Sequence, residues 1–215
     1  MFINQILKYP ILYRLYQKSV RKSYSEYDLL KYIFLKIQKN NIKMLDICCG
    51  DSFILDHVNS FITNYMGLDY SEKYIQYSRS KWHNYSFLKV DLRKNISIDE
   101  IKEFQPNFIF MNGAIHHLDD QIIKNILSIL NNLSFKYFLS VDPVKDKNAF
   151  LNRLMIKYDR GKFIRSKEDY QKLLKPFDQF VIDDFYKMSF KSVFHSKNLD
   201  IPKFYQDWKK NLNLR

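Results

Sequence analysis

With 215 residues, 46% of them hydrophobic and 17% aromatic, the sequence predicts one globular domain with a large core and excludes a disordered chain. The net charge is +12, but the lysines are spread along the whole chain. We therefore interpret the charge mainly as solvated surface, which leaves weak association with an anionic membrane surface open. No apolar run approaches the roughly 18 residues that span a bilayer, and the N-terminus lacks the features of a signal peptide, so we expect a cytoplasmic protein.

The first 40 residues predict a helical cap. Apolar residues over positions 3–20 have helical spacing, which Pro10 interrupts, and this favours two short helices with a kink. Three tyrosines, Tyr13 among them, form an aromatic stripe on this segment. The stripe either packs in the core or covers an active site, and in the second case Tyr13 is a candidate substrate ligand. A further helix is predicted over about 25–38.

The segment Lys43–Ser52 predicts a buried strand, a tight turn and the start of a helix. Backbone N–H groups of such a turn, and the positive end of the helix dipole, face whatever lies above the strand. Asp46 stands at the carboxyl end of the strand, where an open α/β sheet binds ligands. A loop of this kind normally spaces three glycines, and here Cys48, Gly50 and Ser52 take the three places. A buried strand followed by an ordinary helix cap is the alternative.

The two cysteines, Cys48 and Cys49, are neighbours in the sequence. Adjacent cysteines form neither a normal disulfide nor a metal-binding pair, so we interpret them as small buried residues rather than as a redox pair. No metal site is expected.

The next predicted strand, Tyr65–Tyr70, contains Asp69 at its end, and Ser71 caps the helix that follows. Asp69 follows Asp46 at close to the separation, about 20 residues, at which an acidic residue reaches ribose hydroxyls. A carboxylate suits this task because it accepts two hydrogen bonds from vicinal hydroxyls. An exposed aspartate at the start of a helix is the alternative.

Three more strands are predicted over Tyr85–Asp91, Asn107–Asn112 and Tyr137–Asp142, each ending in a polar residue. Strand and helix thus alternate five times, which is typical of a doubly wound α/β sheet with mostly parallel strands.

Taken together, these residues resemble a class I S-adenosylmethionine-dependent methyltransferase over roughly residues 42–142. The resemblance implies a Rossmann-like, doubly wound, seven-stranded and mostly parallel sheet, with the last strand antiparallel and helices on both faces. Gln179–Tyr186 and Met188–His195 can supply the final antiparallel pair. The implied domains are a cap at 1–40, a methyltransferase domain at 41–200 with an acceptor-side helical insertion at 142–178, and a C-terminal tail at 201–215.

The resemblance also implies a set of ligands for S-adenosylmethionine. They are Asp46, Cys48, Cys49, Gly50, Asp69, Tyr70, Asp91, Leu92, Asn112 and Gly113. Within this set Asp69 binds the ribose, Asp91 meets the adenine amino group, and the segment beginning at Asn112 borders the methionine part. The sequence departs from the family where Cys48 and Ser52 replace two glycines, which puts cofactor affinity or loop shape in question. It departs again at Asn107, where an aspartate often opens the fourth strand.

Beyond the fifth strand, the segment Tyr158–Tyr170 is similar to a small group of bacterial methyltransferases with an Asp-Arg-Gly sequence and a following arginine. Some members of that group suit sugars or surface glycans. Asp142, Arg160 and Arg165 are therefore candidate acceptor ligands, because arginine forks bind carboxylate, phosphate and sugar oxygens. The alternative is a structural clasp between the arginines and a nearby acid. The candidate partners are Asp159, Glu168 and Asp169.

The predicted activity is methyl transfer to a small-molecule or sugar acceptor, most simply O-methylation with His116 or His117 as the base. A nucleic-acid methyltransferase would use the positive charge. However, modifiers of base amino groups usually carry an Asn/Asp-Pro-Pro-aromatic tetrad, and Asn112 is followed by Gly-Ala-Ile. A catalytically weak cofactor-binding relative is another alternative. A nicotinamide enzyme is less consistent with the sequence, because Phe53 stands where it expects glycine. A monomer and a homodimer both stay open.

Overall fold

A computed structural model describes most of the central part of the chain. The described residues are 9–20, 27, 30–31, 33–35, 41–94, 99–145, 156–157, 159–175, 179–182 and 190–196. The predictions for residues 3–8, for most of a helix over 148–158 and for the tail at 201–215 lie outside this part. Of the predicted helix over 25–38, the described residues are helical. The chain divides into two compact units, Met1–Asn107 and Phe108–Arg215.

The first unit contains three parallel strands. They are β1 (Ile42–Ile47), β2 (Ile62–Asp69) and β3 (Ser86–Lys89), paired in the order β3-β2-β1. Besides the helical residues within 27–35, the described helices of this unit are α1 (Pro10–Val20), α2 (Leu55–Val58), α3 (Glu72–Lys81) and α4 (Asp99–Phe104). Pro10 is the first residue of α1, where its missing N–H costs no hydrogen bond. Strand β1 is buried along most of its length, as its apolar run predicts.

Asn107 closes the first unit by holding the start of β1. Its side-chain oxygen accepts a hydrogen bond from the Lys43 N–H at 3.0 Å, and its amide nitrogen donates to the Asn41 carbonyl at 2.7 Å. Its own N–H donates to the Lys43 carbonyl at 3.0 Å. An aspartate cannot donate the bond to the Asn41 carbonyl, which explains why an asparagine suits this position.

The second unit begins with a parallel pair, β4 (Phe108–Asn112) and β5 (Tyr137–Pro143). A 3₁₀ turn at Ile115–His117 and helix α5 (Asp120–Asn131) connect them. The Asp119 side chain caps α5 by accepting from the Ile122 N–H at 2.9 Å.

Helix α6 (Lys167–Leu173) and two further strands complete the described part of this unit. Strand β7 (Phe190–Ser196) pairs antiparallel with both β5 and β6 (Gln179–Ile182). Of the ranges predicted for these two strands, the described residues 179–182 and 190–195 are extended, and the second strand continues to Ser196.

Alternating helices and parallel strands make this a Rossmann-like α/β fold. Among the described residues, no helix has both the length and the apolar character needed to cross a membrane.

Candidate functional site

The loop after β1 has the backbone shape of a three-glycine loop. Cys48, Gly50 and Ser52 have φ angles of 62°, 56° and 53°, so all three lie in the left-handed region that favours glycine. The two residues that replace glycines therefore adopt the backbone conformation that favours glycine. The helix-cap alternative is wrong, because α2 begins at Leu55 and has no side-chain cap.

Asp69, at the end of β2, holds this loop in place. One carboxylate oxygen accepts from the Gly50 N–H at 2.9 Å, and the other accepts from the Ser71 N–H at 2.8 Å. Burial raises the pKa of this carboxyl, and the backbone N–H groups partly oppose the rise. The Tyr70 N–H also bonds this carboxylate, so of its roughly four acceptor sites one remains for a ligand hydroxyl. The ribose role of Asp69 stays a prediction.

Asp46 lies buried beside Gly67 in the register of β1 and β2. Tyr65 donates its hydroxyl to the Asp46 carboxylate at 2.6 Å. Burial raises the pKa of Asp46 to about 7. The hydrogen bond from Tyr65 opposes this rise, and the nearby charges of Asp69 and Asp51 add to it. A cofactor contact of Asp46 therefore has to share this carboxylate with Tyr65.

Cys49 packs against a position that must be glycine. A Cβ atom at Gly67 would lie 2.8 Å from the Cys49 sulfur and 2.9 Å from the Phe87 ring. Burial raises the pKa of the Cys49 thiol well above its ordinary value. A protonated thiol is a poor nucleophile, so the site favours the packing role of Cys49 over a redox role.

Helix α1 lies directly on the loop. Arg14 is buried and pairs with Asp51 at 2.8 Å and also with Asp56, while its guanidinium lies 5.0 Å from the centre of the Phe53 ring. Tyr13 lies one position earlier, with its Cε1 3.9 Å from where a Cβ would stand at Gly50. Tyr13 therefore borders the loop, as a cover over a ligand site would.

Tyr70 and Asp91 share one partner, Arg93. The guanidinium contacts both oxygens of Asp91, with Nε at 2.7 Å and Nη2 at 2.8 Å, and it lies 5.7 Å from the Tyr70 ring centre. These hydrogen bonds lower the pKa of Asp91. Tyr70 is 65% exposed, and Leu92 is half-buried. The predicted adenine contact of Asp91 would compete with Arg93.

In the second unit, Gly113 follows β4 with a φ of 61° and donates its N–H to the Val141 carbonyl at 2.7 Å. This turn leads from Asn112, which is half-buried, into the residues that carry the two histidines. A side chain at Gly113 would be strained in this conformation.

His116 is buried between two carboxylates. Its Nδ1 lies 2.7 Å from Asp142 and its Nε2 lies 3.3 Å from Asp159. Burial alone would lower the pKa of His116, but the hydrogen bonds to Asp142 and Asp159 outweigh it and raise the pKa to about 9. The ring is therefore a cation at neutral pH with both N–H groups donated. This corrects the prediction of His116 as a base, because the ring has no free nitrogen to accept a proton.

His117 differs from its neighbour in both exposure and charge. Its side chain is accessible to solvent, and its ring centre lies 4.1 Å from that of His116. Partial burial of the ring and the positive charge of His116 lower the pKa of His117 to about 4. His117 is therefore neutral at pH 7, and its lowered pKa makes it a weaker base than an ordinary histidine.

Arg165 is a structural clasp. It is buried, and each of its five N–H groups has an acceptor. The acceptors are the Asp120 carboxylate, twice, and the carbonyl oxygens of Ile115, Leu118 and Phe163. This corrects its assignment as an acceptor ligand, since no donor remains for a substrate. The partner acid is Asp120 rather than one of the three nearby acids considered from the sequence.

Arg160 is exposed, and its acceptor role stays a prediction. Asp142 is buried and engaged with His116 through one oxygen, so its predicted acceptor contact would require the other. No group of three or more His, Cys, Asp or Glu side chains in the described part of the chain is arranged to hold a metal ion.

The sequence matches no protein-family model and no curated protein sequence. The structure, in contrast, is similar to solved methyltransferases. One from Clostridium acetobutylicum is 13% identical, with the match covering 85% of this chain and 96% of that protein at a TM-score of 0.62. The magnesium protoporphyrin IX methyltransferase from Synechocystis, with bound SAH, is 12% identical. This match covers 79% of this chain and 80% of that protein at a TM-score of 0.57. A methyltransferase from Aquifex aeolicus is 17% identical, with the match covering 79% of this chain and 88% of that protein at a TM-score of 0.55.

This chain has the fold of the S-adenosylmethionine-dependent methyltransferases. At these identities the similarity concerns the fold, and function must be argued from the site.

Within this fold, two residues of consequence escaped the sequence analysis. Arg14 had no visible partner, because Asp51 and Asp56 are distant in sequence. Asp120 was not among the acids considered for Arg165, although its carboxylate receives two bonds from that residue. No local pattern signals either pair, since both depend on tertiary folding.

Proposed function

We propose that this protein is an S-adenosylmethionine-dependent methyltransferase. The observation that carries the proposal is the loop after β1, in which Cys48, Gly50 and Ser52 are left-handed and the Asp69 carboxylate, at the end of β2, accepts from the Gly50 N–H. Two non-glycine residues in this conformation store strain, which is expected where a backbone shape serves a ligand. The similarity of the fold to methyltransferases supports the same cofactor.

The proposed cofactor ligands are those that the resemblance implies. Asp69 accepts a ribose hydroxyl, Tyr70 and Asp91 lie toward the adenine, and the loop at Cys48–Gly50 approaches the cofactor through its backbone. Asp46, directly before the loop, is proposed as a further cofactor ligand that also accepts the hydrogen bond from Tyr65. Leu92 and, in the second unit, Asn112 and Gly113 are proposed on the resemblance alone.

S-adenosylmethionine would supply a methyl group already activated on sulfur. The tasks left to the protein are alignment and removal of a proton from the acceptor. We assign the second task to His117, because it is accessible and neutral at pH 7. Arg160, exposed on the segment after β5, is the proposed contact for a small-molecule or sugar acceptor. O-methylation is the reaction that best uses a base of this kind.

A nucleic-acid methyltransferase and a catalytically weak relative are the alternatives to this acceptor class. The positive charge favours the first, but we keep the small-molecule acceptor because the residues after Asn112 lack the tetrad of base-amino modifiers. The domain limits, the single seven-stranded sheet with helices on both faces, a cytoplasmic location and a monomer or homodimer belong to the same proposal.

The proposal is tested with radiolabelled S-adenosylmethionine and a panel of sugars, glycans and hydroxylated metabolites, with RNA and DNA as the competing class. We expect label transfer to one of the first group. His117→Asn should lower transfer by about 100-fold, the usual contribution of a general base, while His83→Asn leaves it unchanged. Transfer only to nucleic acid would overturn the acceptor class, and full activity of His117→Asn would remove the assigned base.

A further inference from the structure

Residues 159–165, which we call the strap, lie on the turn formed by residues 115–118. Phe163 donates its N–H to the His116 carbonyl at 2.9 Å. Gly161 lies so close that a Cβ atom there would collide with the His116 ring and stand 2.8 Å from the His116 carbonyl oxygen. The strap therefore follows the surface of the turn with no room for a side chain at Gly161.

Arg165 ends the strap and binds the same turn. Its guanidinium donates to the Ile115 carbonyl at 3.2 Å and to the Leu118 carbonyl at 2.8 Å, so it holds the turn at both ends. Its bonds to Asp120 extend the attachment to the first residue of α5. The Ile115 carbonyl also accepts from the Leu118 N–H within the turn. One planar cation thus adds a second bond at Ile115 and fixes the Leu118 carbonyl relative to it.

His116 ties the turn to β5 and to the strap at once. Asp142, on β5, accepts from both the backbone N–H and the Nδ1 of His116, at 3.1 and 2.7 Å. Asp159, at the start of the strap, accepts from Nε2 and from the Gly161 N–H. A buried ring with both nitrogens bonded to carboxylates has a single orientation.

We propose that the strap is a positioning device for His117, which fixes the turn and, through the ring of His116, sets the orientation of the His117 ring. His116, Gly161 and Arg165 are positioning residues in this scheme and do not touch the substrate. The proposal rests on the proposed function, because it supplies the reason for holding His117.

The charges around the two rings support this role. Asp142 from β5 and Asp159 from the strap face His116, while Asp159, Arg160 and the cationic His116 act on His117. The cation 4.1 Å away disfavours a second positive charge on His117. The same contact that orients the ring therefore keeps it unprotonated.

The test follows the five histidines by NMR, with a pH titration of each ring, in the full-length protein. In His116→Asn, whose amide can still donate to Asp142, the pKa of His117 should rise by about one unit or more. In Gly161→Ala the added methyl displaces the strap, and the His117 signals should broaden or split. Lys162→Ala changes an exposed strap residue and is the matched control, with no change expected.

Folding of each variant is checked by circular dichroism. If His116→Asn does not fold, Gly161→Ala alone decides the question. Unchanged position, width and titration of the His117 signals in folded Gly161→Ala would overturn the positioning role. With a working acceptor, kcat should fall about 10- to 100-fold in Gly161→Ala while cofactor affinity stays the same. If the His117 signals change in Gly161→Ala but the parent protein transfers no methyl group to any acceptor, the positioning role of the strap is retained. The proposed function is then refuted.

Discussion

Replacing Cys48 by glycine should stabilise the protein, although glycine usually destabilises an ordered loop. Cys48 has a φ of 62°, a conformation that costs an L-residue roughly 1–2 kcal/mol. Glycine avoids this cost but loses about 0.5–1 kcal/mol through its greater freedom in the unfolded chain. The expected net gain in the free energy of unfolding is up to about 1.5 kcal/mol, and each 1 kcal/mol corresponds to about 2–4 °C in Tm for a chain of this size.

The adjacent residue provides the matched control. Cys49 is not among the residues with positive φ, and its sulfur packs against Gly67. Cys49→Gly therefore relieves no strain, loses buried contacts and gains freedom in the unfolded chain, so it should lower stability by about 2 kcal/mol. Urea unfolding under reducing conditions measures both variants. A loss of stability in Cys48→Gly equal to that in Cys49→Gly would refute the argument that the loop stores strain.

Three further predictions follow from the described contacts. Arg165→Ala should lower the free energy of unfolding by about 2–4 kcal/mol, because it removes the hydrogen bonds of a buried guanidinium, including the bond to the buried Leu118 carbonyl, whereas the exposed Arg160→Ala should change it by less than about 0.5 kcal/mol in the same urea experiment. Arg14→Ala should cost about 3 kcal/mol, because it leaves the buried Asp51 unpaired, and a loss below about 1 kcal/mol would show that helix α1 is not held by this ion pair. The His116 pKa is raised in the folded state from 6.5 to about 9, so its stabilising contribution is complete below pH 6.5 and is lost as the pH rises to 9. Unfolding curves at several pH values should therefore show a decline of up to about 3 kcal/mol over this window, and a folded His116→Asn variant should lack it.

The sequence was sufficient for the parts of the fold that depend on local pattern. The buried strands that carry Asp46, Asp69 and Asn112 at or next to their ends were predicted from short apolar runs, because such runs suit strands buried on both faces. Boundaries were less accurate. β2 begins at Ile62, earlier than its apolar core suggests, and β3 ends at Lys89, before the acid taken as its last residue.

For the candidate site, the sequence predicted which residue types are present but not their conformations or charge states. The loop at Cys48 and Ser52 was recognised from spacing, but its left-handed conformation is a property of the backbone that two non-glycine residues conceal. The two adjacent histidines could not be told apart by sequence, because their opposite charge states depend on burial and on Asp142 and Asp159. Long-range pairing decides such roles, and residue spacing does not encode it.

The central claim, that the loop after β1 binds S-adenosylmethionine, is tested most directly by isothermal titration calorimetry. We expect saturable binding of S-adenosylmethionine at one site per chain and no binding of NAD. In Asp69→Asn the affinity should fall by about 1.5–3 kcal/mol, the usual contribution of hydrogen bonds to a charged group. Asp99→Asn, on helix α4, is the control and should bind as the parent protein does. Absence of heat with S-adenosylmethionine, or equal affinity in Asp69→Asn, would contradict the account.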